Sequence, residues 1–244
     1  MNKERKGLES YYSEKYAKKQ FTFERHVPSG PDLRITDGDM ISGKEILDIG
    51  CNTGNDIVFL TKKNNVKGID IMQDAVEVAR QNQIDAQQWD MEKGLPFSSE
   101  QFDIVICKEV LEHLIDPEFA MQEIQRVLKK NGFAFISVPN HFWYYFRLRV
   151  LLGKGLIMPW DASAWHDWDY FHIRFFTFEG FKALIKKTSF VPIKFYYQET
   201  ISDIFAPGKL KRFDKFFPKW FFRFLVKSKP NLFSRDFAVR IAKT

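Results

Sequence analysis

Glu45-Ile46-Leu47-Asp48-Ile49-Gly50-Cys51-Asn52-Thr53-Gly54 is the stretch on which the reading of this chain turns. Ile46, Leu47 and Ile49 form a short apolar run suited to a strand buried on both faces. Gly50 and Gly54 follow at once, and Asn55-Asp56-Ile57-Val58-Phe59-Leu60 reads as the opening of a helix near 54–64. A strand, a glycine turn and a helix let the backbone approach a nucleotide-like ligand and point helix N–H groups at it. Asn52 stands where the second glycine of G-x-G-x-x-G would fall, so this is not a dinucleotide fingerprint. No Gly-Lys-Ser/Thr follows, which excludes a phosphate-binding P-loop.

Working outward, the same alternation recurs. Val66 to Asp70 is predicted as a strand, Gln73 to Gln81 as a helix, and Ile84 to Asp90 as a weaker strand. Phe102 to Cys107 reads as a strong strand, Pro117 to Leu128 as a helix with Gly132 just past it, and Phe133 to Val138 as another buried strand. After an interruption of nearly forty residues, a helix over 177–187, a strand from Val191 to Tyr197 and a last strand from Phe237 to Ile241 complete the pattern. Successive β-α units predict an α/β, doubly wound parallel sheet, with ligands at the carboxyl ends of its strands.

Composition agrees with a globular enzyme-sized chain of 244 residues, 45% hydrophobic, with an excess of 26 Phe that needs a location. Two cysteines, Cys51 and Cys107, have no metal-type spacing and predict a reduced compartment. The polar, charged start predicts no signal peptide, and no apolar run approaches a membrane span. The expected location is cytoplasmic, with association to a membrane surface as the alternative. The net charge of +6 is uneven: from Phe205 onward eleven Lys/Arg face two acids, so residues 1–204 carry −3.

Three acids stand at consecutive strand ends: Asp48, Asp70 and Asp90. An acid ending the second strand can accept both hydroxyls of a ribose. One after the third can accept an exocyclic amine, with Trp89 and Met91 beside it. With Gly68-Ile69-Asp70, the block Asp90…Leu95-Pro96-Phe97…Phe102-Asp103-Ile104-Val105 and Val110-Leu111-Glu112-His113-Leu114, residues 44–140 resemble the class I S-adenosylmethionine-dependent methyltransferases. The resemblance implies a seven-stranded Rossmann-like sheet, order 3-2-1-4-5-7-6 with the last strand antiparallel. It implies S-adenosylmethionine as the methyl donor, held by Asp48, Gly50, Asn52, Gly54, Asp70, Ile71, Asp90, Met91 and Lys108. Asn52 replaces a usual glycine, and Asn tolerates left-handed backbone better than most residues.

On that topology the chain is one methyltransferase domain, with residues 1–43 an N-terminal helix and lid and 44–140 the donor-binding core. A first cap insertion (141–176) follows the fifth strand and a basic aromatic second insertion (199–235) the sixth. The first is similar to the MetW-type branch in a loose Pro-Asn…Trp…His…Phe run. The second spaces Phe213, Phe216, Phe217, Trp220, Phe221 and Phe224 on one helical face, with Lys215, Lys219 and Arg223 opposite and Pro218 as a first-turn proline. That pattern suits an anionic membrane surface contacted by 213–226, packing on the cap, or a homodimer contact. Nucleic acid is not expected over a core of net −3.

Methyl transfer asks mainly for proximity and alignment, and an oxygen acceptor also needs a base. His113, His166 and His172 are the candidate catalytic residues, with His141 after the fifth strand a further one. No ligand spacing compels a metal, and none is expected. The reading is methyl transfer to a small-molecule, sugar or lipid-linked acceptor, through oxygen. A MetW-like donor-binding partner without turnover and a peripheral membrane scaffold are the alternatives.

Overall fold

The computed structural model describes residues 32–155, 172–197 and 218–243. Their strands are β1 (Glu45–Ile49), β2 (Asn65–Asp70), β3 (Asp85–Gln88), β4 (Phe102–Lys108), β5 (Leu128–Pro139), β6 (Phe190–Tyr196) and β7 (Asp236–Lys243). They form one sheet in the order β3-β2-β1-β4-β5-β7-β6. β1 to β5 pair in parallel, and β7 lies antiparallel between β5 and β6. This is the topology the resemblance implies.

The continuous apolar runs follow from the two-sided covering of the sheet. Side chains alternate along a strand, so Leu47, Val105, Cys107, Ala134 and Ile136 face one core while Ile46, Ile104, Ile106 and Phe135 face the other. The first face is covered by α3 (Pro117–Val127) and α5 (Phe178–Lys187), through Met121, Ile124, Phe181 and Ile185. α1 (Val58–Thr61) and α2 (Gln73–Gln81) cover the second with Leu60, Val76 and Ala79. Helix starts are built locally. Asp116 caps α3, its Oδ1 accepting the Phe119 N–H at 2.9 Å with Pro117 in the first turn, and Thr177 caps α5 through the Gly180 N–H. α1 is much shorter than the helix expected over 54–64, because residues 55–57 are spent in turns that leave the glycine loop.

Part of each insertion is described. α4 (Tyr144–Leu151) follows β5, and α6 (Lys219–Ser228) and the one-turn α7 (Pro230–Phe233) precede β7. Tyr144 packs with Phe222 and Val226, so the two insertions share a small core. One expectation for α6 is corrected: Pro218 is its N-cap, in extended conformation, and the first-turn proline is Pro230 of α7. Trp220 and Phe224 of the aromatic stripe are 68% and 62% exposed, while Phe222 and Val226 form the buried face. Phe213, Phe216, Phe217, Lys215 and residues 1–31 of the expected N-terminal helix and lid lie outside the described residues. Among the described residues no helix is long and apolar enough to cross a membrane.

Candidate active site

The carboxyl end of β1 runs into a turn whose backbone only glycine adopts without strain at two points. Gly50 and Gly54 sit at φ +70° and +74°. A Cβ on Gly50 would lie 2.3 Å from Val110 Cγ2, and one on Gly54 2.0 Å from Ile84 Cδ1. The first contact brings the end of β4 against the turn, and the second brings the α2–β3 connection. Asn52 takes φ +46°, the left-handed conformation expected of it.

Asp70 closes the turn. Its Oδ2 accepts the Asn52 N–H at 2.8 Å and its Oδ1 accepts the Met72 N–H at 2.9 Å. Each carboxylate oxygen keeps a second acceptor direction, which is what a ribose diol requires. Burial nevertheless raises the Asp70 pKa, against the pull of the Met72, Asn52 and Ile71 N–H groups. Asp48, 6% exposed, is pushed up to about 8 by burial; Lys108 opposes that shift, while Asp56 and Asp70 add to it. Asp90 caps the single 3-10 turn Met91–Lys93 by accepting the Glu92 N–H at 3.0 Å. Met91 is buried in the core and the Trp89 indole N–H donates to Gly94 O, so both brace the strand end. Ile71 is held from the side, its carbonyl accepting from the Gln88 amide at 2.9 Å.

Lys108 stands at the end of β4 between two acids, its Nζ 2.5 Å from Asp56 Oδ2 and 2.9 Å from Asp32 Oδ2. Asp32 also pairs with Arg34, which reaches Asp236 of β7 at 2.6 Å. This network ties the segment before β1 over the strand ends, and nothing in the spacing of Asp32, Asp56 and Asp236 announces it. Glu109 is a second residue that no motif or spacing marks. It holds φ +53°, and its carboxylate accepts the Ser137 hydroxyl at 2.8 Å.

A histidine cluster gathers beside this end of the sheet from three elements. His113 ends the 3-10 turn Leu111–His113 that follows β4, His141 follows β5, and His172 lies on the stretch returning from the first insertion. His141 Nε2 and His172 Nδ1 share a hydrogen bond of 2.7 Å. The His113 and His172 rings meet edge-on at 4.7 Å. Burial, and then the neighbouring imidazoles, hold His141 down to about 4 and His172 to about 2, so both are neutral at neutral pH. Glu112 lies beneath them, fully buried, with burial driving its carboxyl well above the usual range. His166 lies outside the described residues.

The asparagine of Pro139-Asn140-His141 is structural. Its amide N–H groups donate to Ser234, Asn231 and Pro230 carbonyls, and its Oδ1 accepts the Phe142 N–H. The end of β5 is thereby fixed to the chain entering β7, which aims His141. A pocket of about 570 Å³ opens beside it, lined by His141, Phe142, Phe146, Arg147, Val150, Leu151 and Phe175. His141 packs edge-on against Phe175 at 4.7 Å.

Comparison with known proteins agrees with this geometry. Residues 47–136 match the family described as "Methyltransferase domain". The chain is 34% identical over 142 residues to a ubiquinone biosynthesis O-methyltransferase of Histophilus somni (strain 2336), covering 54% of this chain and 59% of that protein. The corresponding protein of Pasteurella multocida (strain Pm70) is 31% identical over 147 residues, covering 54% and 60%. The chain thus spans about three-fifths of the length of these relatives. Its fold is similar to that of a SAM-dependent methyltransferase from Thermotoga maritima (TM-score 0.61, 18% identity, 97% and 98% of the two chains). It is also similar to the [4+2]-cyclase SpnF (TM-score 0.53, 19% identity, 86% and 78%). Sheet order, glycine turn and matched residues together make this chain similar to the class I S-adenosylmethionine-dependent methyltransferases, with the family match confined to residues 47–136.

Proposed function

We propose that this protein transfers a methyl group from S-adenosylmethionine to a hydroxyl of an apolar or lipid-linked acceptor. The observation that carries the acceptor reading is the pocket, whose lining joins His141, itself hydrogen-bonded to His172, to the aliphatic and aromatic side chains of α4 and Phe175. The donor fits the residues present: Val110 and Ile84, packed on Gly50 and Gly54, hold the turn tight at the end of β1, and Asp70 retains acceptor capacity toward a diol. Bound there, S-adenosylmethionine supplies an electrophilic methyl on a sulfonium.

The chain's own part is to orient the acceptor, exclude water and take up the hydroxyl proton. Phe142, Phe146, Val150 and Leu151 provide apolar contact of the kind that fixes a hydrocarbon tail. The neutral His141–His172 pair can accept a proton and share it across one short hydrogen bond. The relatives named for ubiquinone biosynthesis support an oxygen acceptor attached to an apolar body.

α4 and α6 extend this reading to a surface. Leu151, Leu152, Trp220 and Phe224 are all more than half exposed, and Arg147, Arg149, Arg223 and Lys227 accompany them with no acid in either helix. Such a face suits an anionic membrane, from which a lipid-linked acceptor would enter the pocket.

The test is calorimetric titration with S-adenosylmethionine and S-adenosylhomocysteine, followed by transfer of labelled methyl to a panel of phenols with and without isoprenoid tails. Binding and turnover favouring the tailed phenols is the expected result. Absence of binding at millimolar ligand overturns the enzyme reading. Tight binding with no turnover, together with a stable heteromeric partner, would favour the donor-binding partner instead.

A further inference from the structure

Glu112 poses a physical problem that the donor site does not answer. Its carboxyl group is fully buried, and among the described residues neither oxygen has a hydrogen-bond partner. Leaving buried polar atoms unsatisfied costs ~1–3 kcal/mol for a neutral group and more for a charged one. Two imidazoles stand close to Glu112. His113 Nε2 lies 3.8 Å and His172 Nε2 4.0 Å from the same oxygen, Oε1. These are too long for hydrogen bonds, and the three ligating atoms lie within 4.8 Å of one another.

We propose that Glu112, His113 and His172 bind a divalent first-row transition cation, with zinc the best match. In a tetrahedral zinc site the metal–ligand distances of about 2.0–2.2 Å place ligand atoms roughly 3.3–3.5 Å apart. Movements of roughly half an ångström per atom therefore bring this set to the metal. Two imidazole nitrogens and one carboxylate form a mixed set that favours zinc, cobalt or iron(II) over magnesium or calcium, which prefer oxygen. Three protein ligands leave a fourth position for water or substrate, as in catalytic rather than structural zinc sites.

Two features beyond the ligands support the assignment. His172 Nδ1 is 2.7 Å from His141 Nε2, and when Nδ1–H donates to that nitrogen the Nε2 lone pair faces Glu112. Metal-bound histidines are ordinarily oriented by such a bond on the other ring nitrogen. The backbone also locks the two halves of the site together: the N–H groups of Ile173 and Arg174 both donate to the Glu112 carbonyl, at 2.9 and 3.0 Å. His172 is thus carried to Glu112 by main-chain hydrogen bonds from a position 60 residues further along the chain. That separation explains why no ligand spacing shows in the sequence.

Resting on the methyltransferase reading, the cation would hold the acceptor oxygen. A metal-bound hydroxyl gives up its proton at much lower pH than a free one.

The full-length untagged chain, stripped with a chelator, is titrated with Zn²⁺, Co²⁺ and Mg²⁺ and followed by calorimetry and by the visible ligand-field absorption of Co²⁺. The expected result is one equivalent of Zn²⁺ or Co²⁺, no saturable Mg²⁺ binding, and at least about a hundredfold weaker binding in Glu112→Gln and His172→Asn. S-adenosylhomocysteine affinity, measured on each protein with and without metal, reports whether the variants remain folded. His113→Asn stands in for a variant that fails this control. If wild type binds no Zn²⁺ or Co²⁺, or binds it as the variants do, the metal site is refuted while intact S-adenosylhomocysteine binding preserves the donor reading. Metal bound without S-adenosylhomocysteine binding would refute the donor reading and leave the metal site standing.

Discussion

The glycine turn makes a quantitative claim that can be broken. Gly54→Ala places a methyl group 2.0 Å from Ile84 Cδ1, where ordinary carbon–carbon contact is about 3.5–4.0 Å. It also forces a non-glycine residue to φ +74°, which costs ~1–2 kcal/mol. Ile84 is 2% exposed in the core formed by Leu60, Val76 and Ala79, so its side chain can yield only by leaving its rotamer or moving those neighbours. Overpacking of that kind costs ~1–3 kcal/mol, giving a total of ~2–5 kcal/mol against a whole-domain stability of ~5–15 kcal/mol. Urea denaturation followed by far-ultraviolet circular dichroism measures it. The decisive variant is Gly54→Ala/Ile84→Val. Removing Cδ1 leaves Cγ1 as the nearest atom of residue 84, at an ordinary 3.4 Å. Alone, Ile84→Val should destabilise by ~0.5–1.5 kcal/mol. Combined with Gly54→Ala it should restore ~1–3 kcal/mol, leaving only the backbone strain. Strict additivity of the two substitutions would refute the close approach and the shape of the turn derived from it.

Three further outcomes follow from the same structure. The Asp48 carboxyl, at about 8 when folded and ~3.9 when unfolded, is protonated only in the native state between those values. Stability should therefore fall as pH rises from ~4 to 8, by at most ~6 kcal/mol, and urea midpoints at pH 5, 6.5 and 8 should show a shallower fall in Asp48→Asn. Phe175→Ala removes a half-exposed ring from the pocket wall, so it should cost an apolar acceptor ~1–2 kcal/mol, about five- to thirtyfold in KM. S-adenosylhomocysteine affinity should not change, and an equal loss in both would remove Phe175 from the acceptor site. Trp220→Ser/Phe224→Ser should abolish sedimentation with phosphatidylglycerol vesicles without lowering the melting temperature, since both rings are exposed; unaltered sedimentation would exclude α6 as the contact.

The fold was legible because its signals are local. Ile46-Leu47, Ile104-Val105 and Phe135-Ile136 alternate between two covered faces, and that leaves apolar runs any reader of periodicity can find. The left-handed Asn52 was legible for the same reason, since a single residue's tolerance decides it. The lysine network was not. Lys108 was expected at the donor, and its partners Asp32 and Asp56 lie 76 and 52 positions away, joined only by the closure of the sheet. The covered side of the aromatic helix was not legible for a different reason: α6 is apolar on two sides, so the spacing of Trp220 and Phe224 is as regular as that of Phe222 and Val226. Periodicity identifies a face, and only packing tells which face is covered.

The same distinction bears on the reaction. A likeness in fold to both a methyltransferase and a cyclase leaves chemistry to be argued from the cap and the strand ends. An amine acceptor can attack a methyl sulfonium through its own lone pair and needs little beyond alignment. A hydroxyl must lose a proton, and a site built for it needs groups that bind oxygen and receive that proton. Here a buried carboxylate lies under two imidazole nitrogens, and a third histidine links them to an apolar pocket. Burying Glu112 without hydrogen bonds lowers stability unless something compensates. Alignment of an amine gives no reason to retain such a group, whereas a cation holding an acceptor oxygen does. That asymmetry is the physical ground for the proposal that oxygen is the methylated atom.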